Sequence, residues 1–289
     1  MQASVDLVVT CFERTYRKVL APGFFDDVSK QSRFQFQRRI AVINNVDSRK
    51  DAHDLAQGLC NRGELDEFYF VDEQIASAYV QAGLSQTNFG RLSCYTDHLL
   101  VAATCSKGSQ FLLHWDADVY LQHPSDWISP SLELMERSPE IFVANPAWES
   151  AVLDLEAETI RTEGPFSIGY GFSDQIFLVR RSEISQNIYS EFHLASMRYP
   201  WSQIGLIFEA RVDSFMRNHA RFRATFRDAL YFHPATEGRA AIELTPEEQK
   251  IAAGINVLRS AVDFRLLGPA TTNRGVLDRS DHPDDGQVF

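Results

Sequence analysis

Asp116 and Asp118 stand one residue apart at the end of the apolar run 111-FLLHWDADVYLQHP-124. Two carboxylates on one side of a tight turn offer hard oxygen ligands to Mg2+ or Mn2+, cations that keep positions open for phosphate oxygens. An isolated Asp-x-Asp is most often a solvated turn. Here the residues before it, FLLHW, are apolar enough for a central strand, so the pair sits where a strand leaves a core.

The elements that must position this pair alternate in type. Residues 5-VDLVVTC-11 and 39-RIAVINNVDS-48 are β-rich runs that end in polar residues, and 67-EFYFVD-72 is a third. Between them, 13–31 is partly helical with a Pro22-Gly23 break, and 49-RKDAHDLAQGLCNRG-63 has helical spacing and a glycine stop. Helices over about 72–83 and 94–108 lead to the strand at 110–118. This alternation predicts an α/β fold, a mainly parallel central sheet flanked by helices. Ligands of such sheets bind beyond the carboxyl ends of the strands, which places Cys11 to Arg14, Asn44 to Asp47 and Asp116 to Asp118 on one rim. Further on, the pattern predicts a helix near 126–138, strands at 141–146 and 175–179, and helices at 204–220 and 245–262, the last opened by Thr245 and Pro246. The final residues, 269–289, read as a mobile tail. Neither an internal repeat nor a linker is visible, so the reading is one domain over 1–268.

Composition narrows the partners. A net charge of −11 argues against nucleic acid, which needs a basic face. It limits membrane contact to a peripheral patch such as Arg33, Arg38 and Arg39. Cys11, Cys60, Cys94 and Cys105 form no CxxC pair, which fits thiols in a reducing compartment better than disulfides or zinc. With no leader and no apolar stretch long enough to span a bilayer, the expected location is the cytoplasm.

The run VVTCFER, the strand ending in NNVD and the segment TDHLLVAATCSKGSQFLLHWDADV together resemble glycosyltransferases of the GT-A fold, over residues 5 to about 235. The resemblance implies a Rossmann-like nucleotide-binding half over about 1–120 and an acceptor half over about 121–268. It implies an Asp-x-Asp motif holding Mn2+ or Mg2+ on a UDP- or GDP-linked sugar. Carried over, Asp118 ligates the metal, Asp116 supports metal and donor with Ala117 beside it, and a late histidine, His233, completes the ligands. Thr10, Cys11, Phe12 and Glu13 match the loop around base and ribose, and Asn45 and Asp47 match the base-binding position. In GYGFSDQIFLVRR, Asp174 matches an acidic residue on the acceptor side, as general base or as partner of the donor sugar. Trp148, Glu149 and Glu209 are acceptor-side candidates, since sugars stack on aromatic faces. The implied activity is transfer of a sugar to a hydroxyl of a glycan or glycolipid, in surface polysaccharide or glycolipid synthesis.

Two other enzyme readings share features. A haloacid-dehalogenase-type phosphatase also opens on an acidic pair after an apolar strand, with a nucleophilic first Asp. Against it stand the long run of strand–helix units before Asp116 and the lysine count after it, Lys250 alone. A nucleotide-sugar pyrophosphorylase needs a glycine-rich basic loop near the first strand, and CFERTYRKVLAPG is a poor version. A non-catalytic binding protein is a further alternative, which the acidic pair argues against.

Overall fold

β1, Val5–Cys11, is buried at every position, and its alternate side chains feed two cores. Val5, Leu7, Val9 and Cys11 join one, and Val8 joins the other. A strand apolar on both faces belongs inside a sheet covered on both sides. The computed structural model, which describes residues 3–104, 107–234 and 242–267, places it there, between two parallel neighbours.

After β1 come α1 (Tyr16–Val19), α2 (Phe24–Ser32), β2 (Arg38–Ile43), α3 (Arg49–Asn61), β3 (Glu67–Phe70), α4 (Val71–Gln81), α5 (Ser93–Thr104) and β4 (Phe111–Asp116). The chain continues through β5 (Tyr120–Leu121), α6 (Ile128–Arg137), β6 (Ile141–Trp148), α7 (Val152–Glu158), β7 (Thr159–Glu163) and β8 (Phe166–Gly169). β9 (Ile176–Arg180), α8 (Arg181–Ile184), α9 (Phe208–Asn218), β10 (Phe222–Phe232) and α10 (Pro246–Ala261) complete it. One sheet has the order β3-β2-β1-β4-β9-β6-β10-β8-β7, with β5 paired to β10.

The α/β architecture is the one expected, with one difference in the sheet. Strands β3, β2, β1 and β4 are parallel, but β9 runs antiparallel to both β4 and β6. β7 and β8 form a hairpin through Gly164 (φ 56°) and Pro165, and a connection that short permits only antiparallel pairing. The sheet is therefore parallel in its first half and mixed in its second. The helix expected over 204–220 begins only at Phe208, while β7, β8 and β10 were outside the expected strands. The tail at 269–289 and Cys105 lie outside the described residues.

Opposite the ligand-binding rim, Asp6 on β1 is fully buried. It accepts hydrogen bonds from Ser109 N (2.9 Å), Ser109 Oγ (2.6 Å) and Arg181 Nη2 (2.8 Å). Gly108 is required there, because a Cβ would lie 2.1 Å from Asp6 Oδ2. Among the described residues no helix is long and apolar enough to cross a membrane. Of the arginines expected as a basic patch, Arg38 is paired with Glu67, and Arg39 with Asp26 (3.1 Å) and Asp66 (3.9 Å).

Removing Asp6 strands a largely buried guanidinium. Asp6→Ala is expected to lower stability by about 3–5 kcal/mol, the cost of leaving one partner of a buried pair alone. Urea unfolding measures it, and a loss below about 1 kcal/mol would place the pair with surface salt bridges.

Candidate active site

The carboxyl ends of β1, β2, β4, β6 and β10 open onto one cleft of about 970 Å³. Because β9 is reversed, its amino end reaches the same rim and brings Ser173, Asp174 and Gln175 with it. A hydrogen bond from Asp116 N to Gln175 O, 2.8 Å long, joins the two segments.

Asp116 ends β4, its carboxylate about a third exposed, and His233 Nε2 lies 3.4 Å from its Oδ2. Burial pushes the Asp116 carboxyl up. The hydrogen bond from His233 and the nearby His114, His233 and His98 outweigh this and hold it below the usual range. His98 and His114 are driven the other way by burial, to about 4 and about 3, only partly countered by Asp116, so both imidazoles are neutral. His114 Nε2 meets Thr10 Oγ1 at 3.1 Å, and its ring stacks on Phe177 at 4.8 Å. His98 also lines the cleft, with its Nδ1 buried and unpartnered.

Asp118 lines the cleft as well and has Lys18 Nζ 3.5 Å from its Oδ1. Lys18 also donates to Ala117 O at 2.7 Å, which braces the turn. Among the described residues no three His, Cys, Asp or Glu side chains form a preformed metal cage. The donor set therefore fits a hard cation that arrives with ligand oxygens, since Mg2+ is commonly held by one or two carboxylates plus phosphates.

A second carboxyl pair faces the same cleft. Asp174 N donates to Glu209 Oε1 at 3.1 Å. Burial, the adjacent Asp174 charge and a side-chain hydrogen bond with Asp174 drive the Glu209 carboxyl well above its ordinary range. The turn carrying Asp174 is pinned by Tyr199, whose hydroxyl accepts from Phe172 N (2.8 Å) and donates to Phe172 O (3.0 Å). Ser173 Oγ lies 3.4 Å from the Tyr231 hydroxyl.

Beneath that turn lies a network of buried charge. Glu158 binds Arg198 Nη1 at 2.5 Å and also Arg223. Asp213 takes Arg217 at 3.0 Å and Arg198 at 3.9 Å. Gly171, at φ 110°, rests on this layer, where a Cβ would lie 2.4 Å from Arg198 Nη2. Burial alone raises the Glu158 carboxyl, but Arg223 and Arg198 overcome it and hold it at about 2.

Of the residues expected from sequence, Thr10, Cys11, Phe12, Asn45, Asp116, Asp118, Trp148, Asp174, Glu209 and His233 line this cleft. Four do not. Glu13 and Asp47 instead meet each other beside it, Asp47 N donating to Glu13 Oε2 at 2.7 Å. Ala117 is buried with its carbonyl on Lys18, and Glu149 is exposed in a 3-10 turn with Ser150 Oγ on its carboxylate at 3.1 Å. Sequence reasoning missed Glu158, Arg223 and Tyr231, which come from elements it did not anticipate, and the stacked pair Tyr95–Trp201. It also left Arg14 without a role, although Arg14 follows the first loop and lines the cleft.

No known family profile matches the sequence, and no curated protein matches it. Among solved structures, the chain is similar to GalNAc-T7 with UDP, GalNAc and Mn2+ at 8% identity and TM-score 0.46. That match covers 89% of this chain and 49% of the other, so the chain spans about half the length of GalNAc-T7. It is similar to glucosyl-3-phosphoglycerate synthase from Mycobacterium tuberculosis with Mg2+ and UDP, at 12% identity and TM-score 0.43, over 90% and 80% of the chains. Galactosyltransferase LgtC with donor and acceptor sugar analogs matches at 14% identity and TM-score 0.35, over 62% and 58%. At these scores the likenesses carry no weight for the chemistry, which rests on the geometry above.

The Glu158 carboxyl is held at about 2 rather than its ordinary 4.5, so its contribution to stability is complete above about 4.5 and fades as pH falls toward 2. Glu158→Gln is expected to cost about 3–5 kcal/mol near neutral pH. Urea midpoints through that window should show the gap between wild type and variant closing as pH falls. A gap that stays constant would mean the network does not titrate through Glu158.

Proposed function

We propose that the protein is a metal-dependent glycosyltransferase of the GT-A fold. It moves a sugar from a UDP- or GDP-linked donor to a hydroxyl of a glycan or glycolipid acceptor, in surface polysaccharide or glycolipid synthesis. The observation that carries this reading is the joining of two acidic sites in one cleft. Asp116, with His233 and Asp118, lies on one side, and Asp174, with Glu209, on the other, linked by Asp116 N and Gln175 O.

In this reading residues 1–120 supply the donor side, with Thr10, Cys11, Phe12 and Asn45 on the lining and Glu13 and Asp47 bracing its edge. Residues from 121 onward supply the acceptor side, where Trp148, 37% exposed, offers an aromatic face. Asp116, Asp118 and His233 would hold Mn2+ or Mg2+. Such a cation, when bound, offsets the charge that develops on a departing diphosphate. Asp174 accepts the proton of the attacking hydroxyl while the glycosyl carbon–oxygen bond to the acceptor forms and the bond to the diphosphate breaks. Tyr199 and the Gly171 turn keep Asp174 in place. The phosphatase alternative gains nothing from the site, since Lys250 lies on α10 and not on the cleft lining.

Incubation with UDP- and GDP-sugars plus Mn2+ should release nucleoside diphosphate. Release of phosphate from a sugar phosphate, with no nucleotide-sugar turnover, would reverse the assignment. Asp116→Ala and Asp118→Ala should each abolish Mn2+-dependent donor binding by calorimetry, and unchanged affinity would remove the residue from the metal site. Asp174→Asn should lower kcat by about 10²–10⁴-fold, the range for loss of a positioned base, with donor affinity retained.

A further inference from the structure

Tyr95 and Trp201 line the cleft and have no part in the chemistry assigned above. Their rings stack with centroids 6.0 Å apart and planes inclined by 27°. Tyr95 lies near the amino end of α5, and Trp201 stands in the connection that leads into α9. Both are half-buried, backed by an apolar cluster of Leu92, Tyr199, Ile207 and Ala210. Pro200 and Ile207 extend the same lining.

The backbone under Trp201 is strained. Its φ of 63° lies in the left-handed region, where glycine is the usual occupant and a bulky residue is a genuine outlier. Hydrogen bonds hold it there: Trp201 O accepts from Ile204 N (2.8 Å) and Gly205 N (3.1 Å), and Arg259 of α10 donates to Tyr199 O (3.1 Å). Strain of this kind persists only where the surroundings impose it, and it clusters at ligand sites. Glycine would relieve it, so what the position keeps is the indole ring.

We propose that Tyr95 and Trp201 form a stacking subsite for one ring of an uncharged saccharide. The proposal rests on the glycosyl-transfer reading only in taking that saccharide for the acceptor. Position favours it. The Tyr199 hydroxyl is bonded to both main-chain groups of Phe172, at 2.8 and 3.0 Å, so Tyr199 abuts the turn that carries Asp174. Two residues of chain span at most about 7 Å, which keeps Trp201 on that same wall. Tyr95 reaches the wall from the first half of the chain because α5 and α9 share a core, Leu99 and Leu100 with Phe208 and Val212. Chemistry favours it too. An aromatic face takes the C–H face of a sugar ring, while neighbouring carboxyl groups bond its hydroxyls, and Asp174 and Glu209 stand on the same lining. A nucleobase would also stack, but its diphosphate would bring like charge toward Asp174. An acyl chain would cover both carboxyl groups without giving them partners.

Saturation-transfer NMR titration of the full chain with cellobiose, lactose and maltose tests this, with UDP plus Mn2+ titrated alongside. Trp201→Gly removes the ring at a position whose backbone suits glycine. It should weaken saccharide binding about tenfold, the size of one lost stacking contact, while Trp201→Phe should stay within about threefold of wild type. UDP affinity should not follow the ring. A wild type that binds none of the three saccharides, or a Trp201→Gly that binds them as well as wild type, overturns the proposal. A UDP affinity that falls in Trp201→Gly assigns the pair to the nucleobase and overturns it as well. If the saccharides bind through Trp201 but no nucleotide sugar is turned over, the subsite stands and the glycosyl-transfer reading falls. Should Trp201→Gly fail to fold, Tyr95→Ala decides by the same titration, and unchanged saccharide binding there counts against the subsite.

Discussion

The hydrogen bond from Asp116 N to Gln175 O, 2.8 Å long, is the joint on which the site depends. It exists because β9 enters the sheet against the direction of β4. In a parallel sheet the functional residues come from segments that follow strands. Here one segment precedes a strand, and that reversal sets a second carboxyl pair beside the first. Neither pair by itself would define a reaction centre. Joined by main chain, they keep a fixed relation, since a shift of the 170–175 turn would break the pairing of β9 with β4.

The charge layer under that turn has a different role. Glu158, Arg198, Arg223, Asp213 and Arg217 are buried or nearly so, and Arg217 is fully buried over the Tyr170 ring. Buried ion pairs are weak evidence for net stability, because desolvation consumes most of the attraction. Their effect here is geometric. Gly171 fits against Arg198 and Arg223 with no room for a side chain, so the turn has one seat. The network thus seats the turn that carries Asp174, at a cost that the apolar packing on both faces of the sheet offsets.

The first half of the molecule was legible because its strands are apolar on both faces and end abruptly in polar residues. β1, β2 and β4 were readable on that ground, and so was their shared rim. β10 was not. Its sequence, FRATFRDALYF, alternates as far as Phe226 and then loses the pattern at a bulge, where pairing with β6 jumps from Pro146 to Ala147 across Phe226 and Leu230. That bulge re-aims the strand end and delivers Tyr231 and His233 to the cleft, in keeping with the tendency of bulges to lie near active sites. Glu158 and Arg198 were illegible for another reason. They are distant in sequence and ordinary in type, and only tertiary contact makes them partners. Ala117 and Glu149 show the opposite error: a motif assigns its neighbours along with its ligands, whereas side-chain direction sends one into the core and the other to solvent.

The charge on the cleft wall adds a constraint on what it can hold. Among the described lining residues, Asp116, Asp118, Asp154, Glu158, Asp174 and Glu209 are acidic, against Arg14 and Arg223. Glu158 is neutralised within the ion network, and burial beside Asp174 drives the Glu209 carboxyl up. Asp116 and Asp118 stand at the end of β4, with Lys18 Nζ 3.5 Å from Asp118 and His233 Nε2 3.4 Å from Asp116. A phosphorylated ligand entering alone would meet net repulsion there. With a divalent cation the same two carboxylates become its anchor, and the repulsion changes sign. In the glycosyl-transfer reading proposed above, a diphosphate donor would enter this acidic cleft together with a cation, and the metal would then serve substrate recognition as well as leaving-group departure.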